Sequence, residues 1–495
     1  LAVPATVNIT VSLCFVSQQG ERKMSGLNEL MEKRTLSRRE LLRWTAFAST
    51  GALLAACAPG VAPGATSDGG DAAPAKAKVR IVATTQMPID QWQPAIERAV
   101  AQLPDIDLLL TQTNISEGGW AGYSDRIVTQ IAGGEQLDVI MIAIEGLGLL
   151  TDKKILAPLD DYFLADPAEK EILDNDIHPV LREMLQVDGK QMEYPFSWNN
   201  MVMYYNTAIF EEAGVEPPSR DWNWEDFLDT CLKVASVKGD ADDRYAYSFW
   251  GSGMFGMAAW YFNNDTSPLN DAWTESNLMD PKVAETLQFL ADLILKHRVS
   301  PNPQGWEEWA QFHAGHLAMR TCGRWCISGS LNEGFTTYDL QYQPHRAGPI
   351  KTVAGTDGWG IASATKSPEE AWTVTKFLSN KDASMDMTRS GGNIPALRSV
   401  AEMPLFAEYG PANTAIFYES LDYAKTVPSP KNFNIVDPIL NRHYQTIWNG
   451  EKSVEEALTA ADAEVRAEMD KLQAGRSSFA GVSVGAVAMA CDCAQ

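Results

Sequence analysis

The chain has 495 residues, 45% of them hydrophobic, so it is long enough for two or three domains with full cores. Forty basic against 64 acidic residues give a formal net charge of −24, which argues against non-specific nucleic-acid binding, since that needs a basic face. Seven scattered cysteines are too few for a disulfide framework to hold such a chain together.

The first organised segment is an address. Thr35-Leu36-Ser37-Arg38-Arg39-Glu40-Leu41-Leu42-Arg43 is basic, Trp44 to Ala56 is apolar, and Leu54-Ala55-Ala56-Cys57 closes it with small residues. A basic start, a short apolar run and small residues before a cut form a secretory signal. The apolar run is shorter than the roughly 20 residues of a membrane span. The arginine pair after Ser37 resembles a twin-arginine signal, although Glu40-Leu41 matches that pattern only in part. Leu-Ala-Ala-Cys resembles a bacterial lipobox, in which the cysteine, here Cys57, takes the lipid and becomes the mature N-terminus. Residues 1–30 read as an over-extended start, with Met31 or Met24 expected as the first residue. Residues 1–56 are thus expected to be a signal region, and 57–77, rich in Ala, Gly, Pro and Asp, a flexible tether.

Beyond the tether the pattern alternates. Val79–Ala83 predicts a buried strand, Gln93–Leu103 a helix, Ile106–Leu110 a strand, Tyr123–Ala132 a helix and Leu137–Ile142 a strand. This order predicts an α/β sheet with parallel strands, whose ligands lie beyond the carboxyl ends of the strands. The loops after Ala83, Thr111 and Ile142 are therefore the first places to look. Met201–Asn206 follows as a strand. Trp224–Val234 is a helix capped by Asn223, and Pro281–His297 a helix with proline near its start. Pro368–Leu378 and Ser453–Leu472 complete the helices, Ser453 and Glu456 forming a capping box. No role is assigned to the tail 476–495, which ends Cys491-Asp492-Cys493.

Four blocks occur in order along this part. They are Tyr204-Tyr205-Asn206-Thr207-Ala208-Ile209-Phe210-Glu211-Glu212-Ala213-Gly214-Val215 with Trp222–Phe227; Phe312–Met319 with Gly323-Arg324-Trp325; Gly355–Ile361 leading into the Pro368 helix; and Gly391-Gly392-Asn393-Ile394-Pro395. Over roughly Val79 to Leu472 the chain resembles the extracellular solute-binding proteins of ABC sugar importers, the maltose-binding-protein-like family. The resemblance implies a two-lobed periplasmic-binding-protein fold of type II-like form. Hinge strands would cross near Tyr194–Trp198, near Tyr338–Pro344 and past Phe377, and the ligand would lie in a cleft between the lobes. The expected lobes are 78–196 plus 341–385 and 197–340 plus 386–475. The implied function is capture of a small carbohydrate and its delivery to permease subunits powered by a separate ATPase. The protein itself would be a monomer, periplasmic or on the outer cell surface, with no enzymatic activity and no cofactor. Lobe closure is the hinge motion common to such proteins.

A sugar offers an apolar face and a rim of hydroxyls, so its site needs flat aromatics and fixed polar groups. The 15 tryptophans supply candidates on loops and in the blocks: Trp120, Trp198, Trp250, Trp260, Trp325 and Trp359. Gln86, Asn114, Glu145, Asn199, Arg324, Asp357 and Asn393 are the polar candidates. The resemblance puts aromatic stacking at Trp325, whereas Arg324 departs from the residue many relatives carry there. Two local patterns point elsewhere. His313 and His316 before Cys322 and Cys326 have zinc-ligand types, but they fall within or beside a family block, and no metal is expected; Cys322 and Cys326 can instead form a local disulfide. Adjacent Tyr204 and Tyr205 suit a ferric-ion binder only if both face one cleft, which strand alternation forbids. The alternatives are a secreted carbohydrate-active enzyme, for which Asp160-Asp161 supplies paired carboxyls just after Leu156–Leu159, a segment read as ending a surface helix, or a binder of glycerol phosphate (with Arg324 as anion partner), polyamine or ferric ion.

Overall fold

The structure is a computed structural model that describes residues 78–480, apart from 116–117, 237–243 and 252. The signal region, Cys57 and the tether lie outside the described residues.

In chain order the strands are β1 (Val79–Thr85), β2 (Ile106–Gln112), β3 (Val139–Ala143), β4 (Leu156–Ala157), β5 (Gln186–Val187), β6 (Lys190–Gln191), β7 (Tyr194–Asn199), β8 (Val202–Asn206), β9 (Tyr245–Ser248), β10 (Leu317–Cys322), β11 (Tyr338–Gln341), β12 (Thr352–Ala362), β13 (Ile394–Pro395) and β14 (Ala424–Thr426). The first sheet has the order β13-β7-β12-β3-β1-β2, with β4 and β14 also on β12. Its β1 runs parallel to β2 and β3, as the alternation of strands and helices predicts. The second sheet is β11-β8-β10-β9, in which β8 is antiparallel to both neighbours. The chain passes from the first sheet to the second between Asn199 and Val202, and returns between Gln341 and Thr352. The fold is α/β and two-lobed.

Local signals place the helices. Asn223 Oδ1 accepts from the N–H groups of Glu225 (2.8 Å) and Asp226 (3.0 Å), starting the helix Trp224–Ser236. Ser453 and Glu456 exchange backbone-to-side-chain bonds of 2.9 and 3.3 Å, the capping box at the start of the last helix, which runs on to Ala480. One expectation is reversed. Leu156–Leu159, expected to end a surface helix, instead begins with the short strand β4, and Asp160-Asp161 after it opens the helix Asp160–Ala165. Aspartates favour the first turn because its free N–H groups and dipole attract negative charge.

Two features of the first sheet aim side chains. Between Asp357 and Gly358 the β12–β7 register slips, so Asp357 stands opposite Ser197 and Gly358 opposite Pro195. A Cβ on Gly358 would lie 2.5 Å from the Tyr194 carbonyl oxygen, so this close approach requires glycine. Such a bulge turns neighbouring side chains to new directions. The helix Phe433–Trp448 packs on the second lobe, where Tyr444 and Tyr261 hydroxyls bond at 2.8 Å. It also reaches the first lobe, Asn434 Nδ2 donating to Asp125 Oδ1 at 2.8 Å. Among the described residues no helix is long and apolar enough to cross a membrane.

Candidate ligand cleft

The second lobe contributes an aromatic face. Gly323-Arg324-Trp325 links β10 to the helix Cys326–Glu333. The half-buried Trp325 ring stands 5.7 Å from Trp250 and 6.0 Å from Phe255, centroid to centroid. Trp250 is 45% exposed. Phe255 lies in the first turn of the helix Met254–Phe262 and covers Gly355 of β12, where a Cβ would meet its ring at 2.8 Å. Three rings from three segments thus form one surface that reaches the first sheet.

The loop carrying Trp325 is fastened at each step. Tyr204 donates from its hydroxyl to the Gly323 carbonyl at 2.7 Å. The Arg324 N–H donates to Asn199 Oδ1, at the end of β7, at 3.2 Å. The Arg324 guanidinium is fully buried. It donates to the carbonyls of Gly392 (2.6 Å), Asn393 (3.3 Å), Thr388 (3.2 Å) and Tyr409 (3.3 Å), and lies 4.6 Å from the centre of the Phe406 ring. Burial pulls its pKa down to about 10. Cys322 and Cys326, on either side of the loop, form a disulfide.

The first lobe contributes buried carboxyls. Asp357 accepts from the Ser197 hydroxyl at 2.6 Å and from Asn393 Nδ2 at 3.1 Å, and burial pushes it up to about 7. Glu145, in the first turn of the helix after β3, is pushed up to about 8 by burial, with Asp437 and Asp357 adding to the rise. Its Oε2 is buried without a hydrogen-bond partner. Asp437, on the helix that bridges the lobes, accepts from the Met254 N–H at 2.6 Å and from Asn441 Nδ2 at 3.0 Å; burial lifts it to about 6. Glu193 is raised well above the usual range by burial and by Asp357. Low-dielectric surroundings penalise the ionised form, and close carboxyls deepen the penalty.

The sequence candidates divide on this geometry. Gln86, Asn114 and Glu145 stand beyond the ends of β1, β2 and β3. Trp120 lies half-buried in the next helix, Gly119–Ala132, edge-on to Tyr123 at 5.2 Å. Asn199 holds the Arg324 N–H at the end of β7, Asp357 and Asn393 meet at Ser197, and Trp250 and Trp325 form the aromatic face. Four candidates are placed otherwise. Trp260 is fully buried among Trp224, Phe227 and Tyr247, in the core of the second lobe. Trp359 is fully buried edge-on to Trp92, at 5.3 Å, in the core of the first. Trp198 is fully buried on the face of β7 opposite Ser197 and Asn199, towards Tyr418. Arg324 is held by main-chain carbonyls. For the three rings the large apolar area buried is the favourable term, and Arg324 is kept in by the carbonyl acceptors of its two terminal nitrogens. Phe255, Asp437 and Ser197 were missed. Phe255 sits in an uninterrupted apolar run, and Asp437 and Ser197 gain their meaning from partners far along the chain.

The tyrosine pair faces two ways: Tyr204 stacks on Tyr338 at 5.7 Å, and Tyr205 packs on Phe210 at 5.2 Å. Among the described residues no group of three or more His, Cys, Asp or Glu side chains is arranged to hold a metal ion.

Two α/β lobes joined by crossing segments, with a three-ring aromatic surface that runs from the second lobe to the first sheet, define a solute receptor. The family model for bacterial extracellular solute-binding proteins matches residues 111–414, and the chain belongs to that family. It is 24% identical over 361 residues to a Brucella abortus chain named only as a binding protein, covering 71% of this chain and 84% of that one. It is 22% identical over 332 residues to the maltotriose-binding protein of Pyrococcus abyssi, covering 63% and 65%. An ABC substrate-binding protein from Listeria monocytogenes, solved with cycloalternan, superposes with a TM-score of 0.72 at 23% identity over 79% of this chain and 99% of that one. A maltose-bound T. maritima protein superposes with a TM-score of 0.67 at 19% identity over 80% and 100%.

Proposed function

We propose that this chain captures an oligosaccharide between its lobes and hands it unchanged to an ABC import permease whose ATPase is a separate subunit. The observation that carries this reading is the Trp250–Trp325–Phe255 surface beside buried carboxyls and amides. Flat rings suit the C–H face of a sugar ring, and the polar groups suit its hydroxyls. Relatives and structural neighbours named for maltotriose, maltose and cycloalternan support it. Glycerol-3-phosphate-binding proteins are also among the relatives. The phosphate reading relied on Arg324, whose guanidinium is already committed to four carbonyls. Site residues on this proposal are Glu145, Asn199, Trp250, Phe255, Trp325, Asp357 and Asn393, with Gln86, Asn114 and Trp120 at the rim. Export as a monomer on a lipid anchor at Cys57 completes the reading, supported by the signal and lipobox pattern.

The test is a thermal-shift screen of the full chain against maltotriose, glycerol 3-phosphate, putrescine and ferric citrate, with the saccharide recovered and analysed. A ligand at a hundredfold excess over its dissociation constant adds about 2.7 kcal/mol to native stability. A shift with maltotriose and full recovery is expected. Hydrolysed maltotriose would make the chain an enzyme, and a shift with another ligand alone would replace the sugar.

A further inference from the structure

We propose that the Cys322–Cys326 disulfide is a positioning brace for Trp325, so that solute affinity depends on the bond; this rests on the sugar-binding reading above. Cys322 is the last residue of β10, which lies inside the second sheet between β8 and β9. Cys326 is the first residue of the following helix. The bond therefore ties the end of a strand to the start of a helix across Gly323-Arg324-Trp325. Both cysteines are buried, at 3% and 2% exposure. The Trp325 ring folds back over Gly323, while Tyr204 and Asn199 hold the backbone of Gly323 and Arg324. With the brace intact Trp325 is already placed against Trp250 and Phe255, and a solute meets a finished surface. Without it the loop gains conformations that binding must remove, which lowers affinity while the sheet and helix persist.

Reduction by an added dithiol states the chemistry. An Arg320 N–H donates to Cys326 Sγ at 3.3 Å, which makes Cys326 the better leaving thiolate. The dithiol's thiolate attacks Cys322 Sγ, the Cys322–Cys326 bond breaks, and Cys326 leaves. The dithiol's second thiolate then closes on its own sulfur and releases Cys322. Two electrons and two protons pass to the protein, and the dithiol leaves as a cyclic disulfide.

The experiment titrates maltotriose into the full chain, oxidised and dithiothreitol-reduced, by calorimetry well below the melting temperature. Affinity is expected to fall about tenfold on reduction and to return on reoxidation. The Cys322→Ser/Cys326→Ser variant should bind like the reduced chain and ignore dithiothreitol. Linkage adds an independent reading: saturating maltotriose should lower the reduction midpoint by about 30 mV for each tenfold preference for the oxidised form. Equal affinity of the two forms overturns the proposal, including the case in which only the melting temperature falls. Should the oxidised chain bind no saccharide, the sugar reading fails separately, and acrylamide quenching of tryptophan emission decides the brace. Quenching should rise on reduction, and rise less in Trp325→Phe; a reduction with no change in quenching overturns it.

Discussion

The Trp325 indole lies across Gly323 so closely that a Cβ on Gly323 would stand 1.9 Å from its Cζ3 atom. The clash is with the end of a side chain, so the ring yields before the backbone does. Gly323→Ala should therefore swing Trp325 off the Trp250–Phe255 surface and weaken maltotriose binding about tenfold, a change of about 1.4 kcal/mol. The melting temperature should fall only slightly. Calorimetric titration beside a melting scan checks both, and unchanged affinity would show that Trp325 takes no part in binding.

Trp250 and Trp260 make a matched pair of opposite kinds. Trp250→Ala removes an exposed ring and should lower affinity with stability within about 0.5 kcal/mol of the parent. Trp260→Ala empties a fully buried site and should remove about 3–5 kcal/mol of stability. Urea unfolding of both variants tests the contrast, and it fails if Trp250→Ala unfolds as easily as Trp260→Ala.

The buried carboxyls give stability a direction with pH. Glu145, Asp357 and Asp437 are raised to about 8, 7 and 6 from ordinary values of 4.5, 3.8 and 3.8. Below the ordinary values both folded and unfolded chains are protonated and no penalty arises. As pH rises past them the unfolded chain releases protons that the folded chain keeps, and stability falls by about 1.4 kcal/mol per pH unit for each retained proton. The fall should run from about pH 4 until each folded pKa is passed. Urea unfolding at pH 5, 6, 7 and 8 should show the decline, and Glu145→Gln should flatten it, most clearly between pH 5 and 8. A variant with the parent's pH slope would remove Glu145 from this account.

Arg324 should behave as a structural cation. Arg324→Met leaves carbonyls of four residues without their charged donor, and should lower stability by about 3 kcal/mol or more. Arg324→Lys should recover only part, because an ammonium group cannot span what the planar fork serves. Denaturant midpoints of the two variants check the order; equal stability of Arg324→Met and the parent would refute the fastening role.

Local patterning alone determined a good deal of this protein. Alternating β-branched runs and amphipathic helices were enough for the parallel β1–β2 and β1–β3 pairs, and the Asn223 and Ser453 caps were readable because their partners lie two or three residues away. The loops after β1, β2 and β3 and the Gly-Arg-Trp turn were likewise visible as places where polar and aromatic residues leave regular structure. Tertiary structure alone decided which of those residues meet. Trp198, Trp260 and Trp359 look like Trp250 and Trp325 in sequence, yet burial of a large ring is settled by the layer packed above it. Asp357 gains Ser197 through the pairing of strands 160 residues apart in sequence and Asn393 through β13 on the other side of β7, and Arg324 finds its carbonyls 64 to 85 residues away. Hydrogen bonding and desolvation act over a few ångströms of space. The chain reports only neighbours along itself, and so carries the elements of the cleft without its assembly.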